Sequence, residues 1–92
     1  MKILPRKQAM ITGVAGGIGR AIALELARRG TALWLVDINE AGLENVRREV
    51  QALGAEVVTQ LCDLSKMDEI AACVNQVRER WGGLDILINN AG

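Results

Sequence analysis

The sequence predicts an α/β fold with a parallel sheet, on the basis of three observations. Apolar runs typical of buried strands alternate with segments of helical periodicity, the connections between them are short, and a glycine-rich turn follows the first run. Such alternation indicates right-handed β-α-β crossovers and therefore parallel strands. The 92 residues suit one small domain, and because half of them are hydrophobic the chain can form a core.

Four apolar runs predict four strands, at residues 9–11, 32–36, 56–61 and 84–88. The second run is continuously apolar, as expected of a parallel strand that is covered on both faces, and it ends at Asp37. The fourth is followed by Asn89-Asn90-Ala91-Gly92. Trp34, in the second run, and Trp81 are predicted to be packing residues.

Three segments between these runs have helical spacing. The first begins in the glycine-rich turn, ends before Gly30, and carries an apolar stripe of Ile18, Ile22 and Leu26. The second covers residues 40–53 and is closed by Gly54, with a stripe of Leu43, Val46, Val50 and Leu53.

For the third helix, Ser65 is the predicted N-cap, with Asp68 three residues later in a box-like arrangement. Its expected apolar stripe is Met67, Ile70, Ala71, Val74, Val77 and Trp81, and Gly82-Gly83 ends it. The predicted order is therefore β-α-β-α-β-α-β.

In a doubly wound sheet these strands take the order 3-2-1-4, which puts the topological switch point between strands 1 and 4. Ligands bind at such a point, outside the carboxyl ends of the strands. Residues 12–19 and residues 89–92 both follow strands at that point.

The turn at residues 12–19 reads Thr-Gly-Val-Ala-Gly-Gly-Ile-Gly. Gly13, Gly17 and Gly19 lie where a strand turns sharply into a helix, and glycine there allows positive φ and close approach of a ligand. The N–H groups and the dipole of the helix favour an anion, so the turn predicts a site for the pyrophosphate of a dinucleotide. A purely structural turn is the alternative. A P-loop does not fit, because Arg20-Ala21 follows Gly19 in place of Lys-Ser/Thr.

Asp37 follows Gly19 by 18 residues, at the end of the second strand. A carboxylate there can accept hydrogen bonds from both hydroxyls of the adenosine ribose and repels a 2′-phosphate, which favours NAD(H) over NADP(H). The alternative is an acid that only caps the helix beginning at Glu40.

Taken together, these motifs resemble the N-terminal half of a short-chain dehydrogenase/reductase. The resemblance runs from about Arg6 to Gly92 and comprises Thr-Gly-x-x-x-Gly-Ile-Gly at 12–19, Asp37, Asp63-Leu64 after the third strand, and Asn-Asn-Ala-Gly at 89–92. It implies a partial Rossmann-type doubly wound parallel sheet, with residues 1–92 as a dinucleotide-binding half-domain.

The resemblance also implies roles for individual residues. Those lining the pyrophosphate turn are Gly13, Gly16, Gly17, Ile18 and Gly19. Asp37 binds the adenosine ribose and Ile38 lies against the adenine, whose amino group meets Asp63, with Leu64 helping through its backbone. Those lining the ribose next to the nicotinamide are Asn90, Ala91 and Gly92.

Some of these roles have structural alternatives. Asp63 is alternatively a solvated turn residue before Ser65, and Asn89 and Asn90 alternatively tie loop backbones together. Asn89 is in any case expected to hold the strand ends. NADP-preferring relatives often carry a basic residue at the position of Gly16, so the glycine agrees with Asp37 in favouring NAD.

The chemistry that the resemblance implies is hydride transfer between the nicotinamide and a carbonyl or alcohol, with a Tyr four residues before a Lys and a Ser as the catalytic groups. This sequence has no Tyr, its only Ser is Ser65, and its lysines lie in no such context. We therefore expect the cofactor-binding half of an oxidoreductase, truncated before the catalytic segment and inactive alone, with a small-molecule substrate only where the missing C-terminal half is present. The alternatives are a non-catalytic nucleotide-binding or interaction module, such as a truncated isoform, and a structural fragment.

Composition excludes other classes. The 11 basic and 11 acidic residues give a net charge of zero, which argues against nucleic acid as a partner. No apolar stretch is long enough for a membrane span and the N-terminus is not a signal peptide, so a cytoplasmic protein is predicted. Cys62 and Cys73 have no CxxC spacing and the chain has no His, which predicts two buried, reduced thiols in place of a disulfide or zinc site.

The fourth strand is predicted to be an exposed edge, with Met10, Ile86 and Ile88 partly bare. An unpaired edge beside apolar surface favours association with another chain, so self-association through strand four is expected.

Overall fold

A computed structural model describes residues 7–90 and contains four strands and three helices in that part of the chain. In chain order these are β1 (Gln8–Thr12), α1 (Gly17–Arg28), β2 (Ala32–Asp37), α2 (Glu40–Ala52), β3 (Val57–Leu61), α3 (Met67–Trp81) and β4 (Ile86–Asn89). The strands form one parallel sheet in the order β3-β2-β1-β4. The predicted fold class, element order and strand order are thus confirmed.

The core lies on both faces of the two central strands, with neighbouring residues directed to opposite sides. Ile11 and Leu33 pack with α1 and α2 on one face. Met10 and Trp34 pack on the other face, with Cys73 and Val77 of α3. This two-sided burial explains why β2 is apolar throughout its length.

The buried face of α1 is not the predicted stripe. Gly19, Ala23 and Ala27 are buried, whereas Ile18 is 70% exposed and Ile22 is only partly buried. The small residues allow the helix to approach the sheet closely. Of the predicted stripe, Ile22 and Leu26 are partly buried and pack against the core, whereas the prediction is wrong for Ile18.

The predicted face of α3 is also wrong in part. Its buried residues are Cys73 and Val77, whereas Met67 is 81% and Val74 45% exposed. The helix packs over Trp34 in β2 and leaves its other apolar side uncovered among the described residues. Both predicted tryptophan roles are confirmed by a T-shaped contact between Trp34 and Trp81, with ring centroids 5.3 Å apart.

Ser65 is not the N-cap of α3. The helix is preceded by Lys66, whose side chain makes no capping hydrogen bond. Ser65 Oγ instead donates to Asp63 Oδ1 at 2.6 Å, and the Asp63 N–H donates to Glu69 Oε1 at 2.8 Å. Glu69, not Asp68, therefore reaches back to the turn.

In the described part of the chain, β4 is an edge strand that pairs only with β1. Leu87 is 64% exposed and Ile86 and Ile88 are partly buried. Met10, predicted to be partly bare, is buried with 7% exposure because α3 covers it.

Candidate functional site

The glycine-rich turn leaves β1 at Gly13 and enters α1 at Gly17. Gly13 has φ +71° and Gly17 φ +55°, a backbone conformation that suits glycine. The Gly13 N–H donates to Val36 O at 2.9 Å, which holds the turn against the end of β2. Gly16 and Gly17 are exposed, so the start of α1 is open to a ligand.

Gly19 is where the turn and the helix come closest. A Cβ at this position would lie 2.1 Å from Gly13 O and 2.8 Å from Asn90 Nδ2. Asn90 Nδ2 itself donates to Gly13 O at 2.9 Å. Only a residue without a side chain allows this crossing of the helix, the turn and the end of β4.

Asp37 connects the glycine turn to the start of α2. One carboxylate oxygen accepts from the Ala15 N–H at 2.8 Å, and the other accepts from the Asn39 N–H at 2.8 Å. The N-cap of α2 is Asn39, whose Oδ1 accepts from the Gly42 N–H at 3.1 Å. Since each carboxylate oxygen has two lone pairs, Asp37 retains capacity for two further donors.

Asp63 lies in a tight turn after β3. Its Oδ1 accepts from Ser65 Oγ and from the Ser65 N–H, and these hydrogen bonds lower the pKa of Asp63, with a smaller contribution from Lys66. The carboxylate is thus anionic and held in place by its own turn. A carboxylate that is hydrogen-bonded within its own turn is what the alternative interpretation of Asp63, as a turn residue before Ser65, predicts. The second carboxylate oxygen, Oδ2, remains available to a ligand.

One cavity joins the ends of β1, β2 and β3. It has a volume of about 180 Å³ and is lined by Gly13, Asp37, Ile38, Cys62, Asp63, Leu64 and Ser65. Five of these were predicted as cofactor-binding residues. The structure therefore brings the predicted ribose and adenine residues to one place, next to the glycine turn.

A larger groove of about 630 Å³ lies between α1 and α2. It shares only Ala15 with the glycine turn. Arg20, which directly follows the glycine turn, lines this groove and pairs with Glu49, its Nε donating to Oε1 at 2.8 Å. This hydrogen bond raises the pKa of Arg20 and lowers that of Glu49.

The end of β4 is held to the end of β1. Thr12 Oγ1 donates to Asn89 Oδ1 at 3.0 Å, and the Asn90 N–H donates to Thr12 Oγ1 at 3.1 Å. Asn89 has its predicted structural contact, and Asn90 also ties loop backbones. Ala91 and Gly92 lie outside the described residues.

The sequence did not predict the tie between Asp37 and Ala15, or the tight packing of Gly42. A Cβ on Gly42 would lie 2.6 Å from Ala15 Cβ. The predicted strand order was the available signal for these contacts, because it makes β1 and β2 parallel neighbours and so places the residues after both strands side by side. The structure pairs Thr12 with Val36 accordingly. Within residues 7–90 no group of three potential ligands is placed to hold a metal, and no helix is long and apolar enough to cross a membrane.

Comparison with known proteins gives consistent matches. The family model described as short chain dehydrogenase matches residues 7–92. Estradiol 17-beta-dehydrogenase 11 of Rattus norvegicus is 39% identical over 98 residues, which cover 99% of this chain and 33% of that protein.

Two solved structures superpose with a TM-score of 0.90. An NAD+-bound xylitol dehydrogenase is 38% identical, with 94% of this chain and 33% of that chain covered. A metagenomic short-chain oxidoreductase in complex with NADP is 41% identical, with 94% and 39% covered. The chain thus spans about a third of the length of these proteins.

Proposed function

The chain belongs to the short-chain dehydrogenase family, and we propose that it is the NAD(H)-binding portion of an oxidoreductase. The reaction is hydride transfer between the nicotinamide and a carbonyl or alcohol substrate. The observation that carries the proposal is the cavity in which Asp37, Ile38, Asp63 and Leu64 meet the glycine turn.

The pyrophosphate lies over the glycine turn. Gly13, Gly16, Gly17, Ile18 and Gly19 line it. The exposed start of α1 supports this assignment, because its N–H groups have no partners within the helix and its dipole favours an anion. Ile18 is available as an apolar contact, since it is directed away from the core.

NAD(H) is the preferred cofactor because of Asp37. Its two free lone pairs match the two ribose hydroxyls, and a 2′-phosphate would bring like charges together. Two unit charges 4 Å apart interact with about 4 kcal/mol near a protein surface. Gly16 offers no compensating cation. The two structural relatives bind different cofactors at equal TM-score, so the fold alone does not determine the preference, and our assignment of NAD(H) depends on Asp37 and Gly16.

The adenine and the second ribose occupy opposite ends of the site. Ile38 lies against the adenine, Asp63 meets its amino group and Leu64 contributes its backbone. At the other end, Asn90 lines the ribose next to the nicotinamide, and the resemblance assigns the same role to Ala91 and Gly92, which lie outside the described residues. Asn90 is held there by its hydrogen bond to Gly13.

Catalysis requires groups that this sequence does not contain. It has no Tyr, and its only serine hydroxyl, that of Ser65, donates to Asp63. We therefore propose that these 92 residues bind the cofactor and do not turn over substrate. The same observation favours a second candidate, a non-catalytic nucleotide-binding or interaction module. An oxidoreductase portion and a nucleotide-binding module both bind NAD(H), whereas an interaction module alone does not. Oxidation of NADH in a coupled assay is expected only of a protein that also carries Ser, Tyr and Lys.

Two further proposals concern the cellular location of the chain and its self-association. The two free, buried cysteines support a reducing, cytoplasmic location. Among residues 7–90 one edge of β4 is unpaired, and an apolar groove of about 300 Å³ lies beside Leu87 and Val74; both support self-association through strand four.

Cofactor titration tests the main proposal. We expect NADH to bind at least ten-fold more tightly than NADPH, measured by calorimetry or by quenching of tryptophan fluorescence. Asp37→Ala should abolish this discrimination, because it removes both the acceptors and the repulsive charge. Asp68→Ala, at an exposed acid of α3 outside the cavity, is the matched control and should leave both affinities unchanged. Equal binding of NADH and NADPH to the unsubstituted chain would contradict the assignment of Asp37.

A further inference from the structure

The first turn of α2 packs against the glycine turn at Gly42. A Cβ at this position would lie 2.6 Å from Ala15 Cβ and 3.3 Å from Ala15 Cα. Two non-bonded carbons pack best about 3.5–4.0 Å apart, and a methyl group has no rotamer that would relieve the contact. Glycine inside a helix is unfavourable relative to alanine, so this close approach is a physical reason for a glycine at position 42.

Ala15 is also held by Asp37. The Ala15 N–H donates to Asp37 Oδ2 at 2.8 Å, and the other oxygen, Oδ1, accepts from the Asn39 N–H at 2.8 Å. The side chain of Asn39 in turn accepts from the Gly42 N–H at 3.1 Å. The contact between Gly42 and Ala15 therefore closes these hydrogen bonds into a ring that contains the Asp37 carboxylate.

We infer that Gly42 is a positioning residue, which acts through Ala15 on Asp37 and so contributes to the discrimination between NADH and NADPH. The inference rests on the proposed role of Asp37 in binding the adenosine ribose. Gly42 is not among the residues that line the cavity containing Asp37. Its effect on the cofactor is transmitted by the backbone of the glycine turn.

The effect follows from what holds the carboxylate in place. Asp37 is partly buried, and the N–H groups of Ala15 and Asn39 fix the orientation of its two oxygens. A Cβ at position 42 displaces Ala15, and its N–H then moves away from Oδ2. With one of these two donors lost, the carboxylate rotates more freely, and binding a ribose has to restore its orientation. Groups that are already oriented bind more tightly because they do not incur this cost.

The loss differs between the two cofactors. The ribose of NADH donates hydrogen bonds to the carboxylate, whereas a 2′-phosphate meets it as a like charge. Gly42→Ala keeps the charge of Asp37 and changes its orientation, and a displaced pyrophosphate turn weakens both cofactors alike. We therefore expect the ratio of NADH affinity to NADPH affinity to fall at least about five-fold, within the usual range of coupling between residues in contact. A role in stability alone does not change this ratio.

Moving one methyl group across the contact tests the inference. Gly42→Ala adds a methyl group to a filled space, Ala15→Gly leaves a gap, and Ala15→Gly/Gly42→Ala fills the gap from the other side. In the double variant the new Cβ has Asn39 Nδ2 at 3.2 Å and the Cα of residue 15 at 3.3 Å as its nearest neighbours, which requires only a small adjustment. Calorimetry should show a lower affinity ratio in both single variants and recovery to within about two-fold in the double variant. Ala41→Ser, at an exposed position in the same turn of α2, is the matched control and should leave the ratio unchanged.

The amide proton of residue 15 reports the contact without any cofactor. An amide proton that donates to a carboxylate resonates downfield, because such a hydrogen bond is short and charge-assisted. In NMR spectra the signal of Ala15 should move upfield in Gly42→Ala relative to the unsubstituted chain. The signal of Gly at position 15 should move downfield in the double variant relative to Ala15→Gly.

The outcomes are distinct. An unchanged Ala15 signal in Gly42→Ala would overturn the inference, and so would a changed signal with an unchanged affinity ratio. If circular dichroism shows that Gly42→Ala does not fold, Ala15→Gly and the double variant decide: recovery of the ratio in the double variant supports the inference, and equal ratios in the two contradict it. If the unsubstituted chain binds neither cofactor while the amide signals change as expected, the proposed function fails and the contact through Ala15 stands.

Discussion

Gly19→Ala should destabilise the fold, because Gly19 is where α1 crosses the glycine turn. Its added Cβ would lie 2.1 Å from Gly13 O and 2.8 Å from Asn90 Nδ2. A carbon and a carbonyl oxygen in contact need about 3.3 Å, so helix and turn must separate by roughly 1.2 Å. The nearer atom is backbone, which has no rotamer to relieve the contact.

The expected loss of stability follows from three contributions. Overpacking a well-packed site costs about 1–3 kcal/mol, and weakening the Asn90–Gly13 hydrogen bond costs about 1 kcal/mol. Alanine returns about 0.5–1 kcal/mol as the better helix former. The net loss is therefore about 1–3.5 kcal/mol, a large share of the roughly 5–15 kcal/mol of a small domain.

Urea denaturation followed by far-ultraviolet circular dichroism measures this loss. With a slope of about 1 kcal/mol per molar, at the low end of the range because the chain is small, the midpoint should fall by about 1 M or more. Gly16→Ala is the control, because a Cβ there meets nothing within 4 Å and φ is −157°; its loss should stay below about 1 kcal/mol. A Gly19→Ala midpoint equal to that of the unsubstituted chain would refute the steric reasoning.

Two other predictions concern the turn after β3 and the edge of the sheet. Ser65→Ala removes the hydrogen bond that contributes most to lowering the pKa of Asp63. A lowered carboxyl pKa gives stability that is present above the unfolded pKa and is lost as pH falls through the folded pKa. The variant should therefore show a higher Asp63 pKa by NMR titration and a higher pH midpoint of acid unfolding. An unchanged titration of Asp63 would exclude the hydrogen bond as the cause of the lowered pKa. Leu87→Lys should shift sedimentation toward monomer at concentrations where the unsubstituted chain associates, and equal association of both would remove β4 from the interface.

The order of the sheet was predictable because strand alternation and short connections allow few topologies. The apolar run of β2 and the glycines ending each helix gave the element bounds to within about two residues. Burial on the helices was less predictable. In α1 the fully buried residues are Gly19, Ala23 and Ala27, which a count of large apolar residues overlooks.

The same limit applies to α3 and its N-terminus. The apolar spacing includes Met67 and Val74, which lie on the side away from Trp34, and the sequence contains no information on which side the sheet occupies. Ser65 has the residue type of an N-cap, but Asp63 competes for its hydroxyl. The hydrogen bond from Ser65 to Asp63, two residues earlier, therefore replaces the capping hydrogen bond that its residue type favours.

The residues of the candidate site were predictable as a set, but their mutual contacts were not. Spacing alone indicates that Asp37 follows β2, yet it does not show that the carboxylate also holds the Ala15 N–H. Because of this second contact, any substitution at Asp37 affects the glycine turn as well as the proposed ribose contact. A substitution of Asp37 that admits a 2′-phosphate also removes the hydrogen-bond acceptor of the Ala15 N–H in the glycine turn. A backbone N–H without an acceptor costs about 1–3 kcal/mol when it is buried. Since Gly42 packs against Ala15 from the other side, the turn cannot simply move toward α2 to find another acceptor. On the proposed assignment of Asp37, one carboxylate therefore serves both the cofactor preference and the shape of the glycine turn, and Asp37→Ala should weaken NADH binding by more than the loss of the two ribose hydrogen bonds.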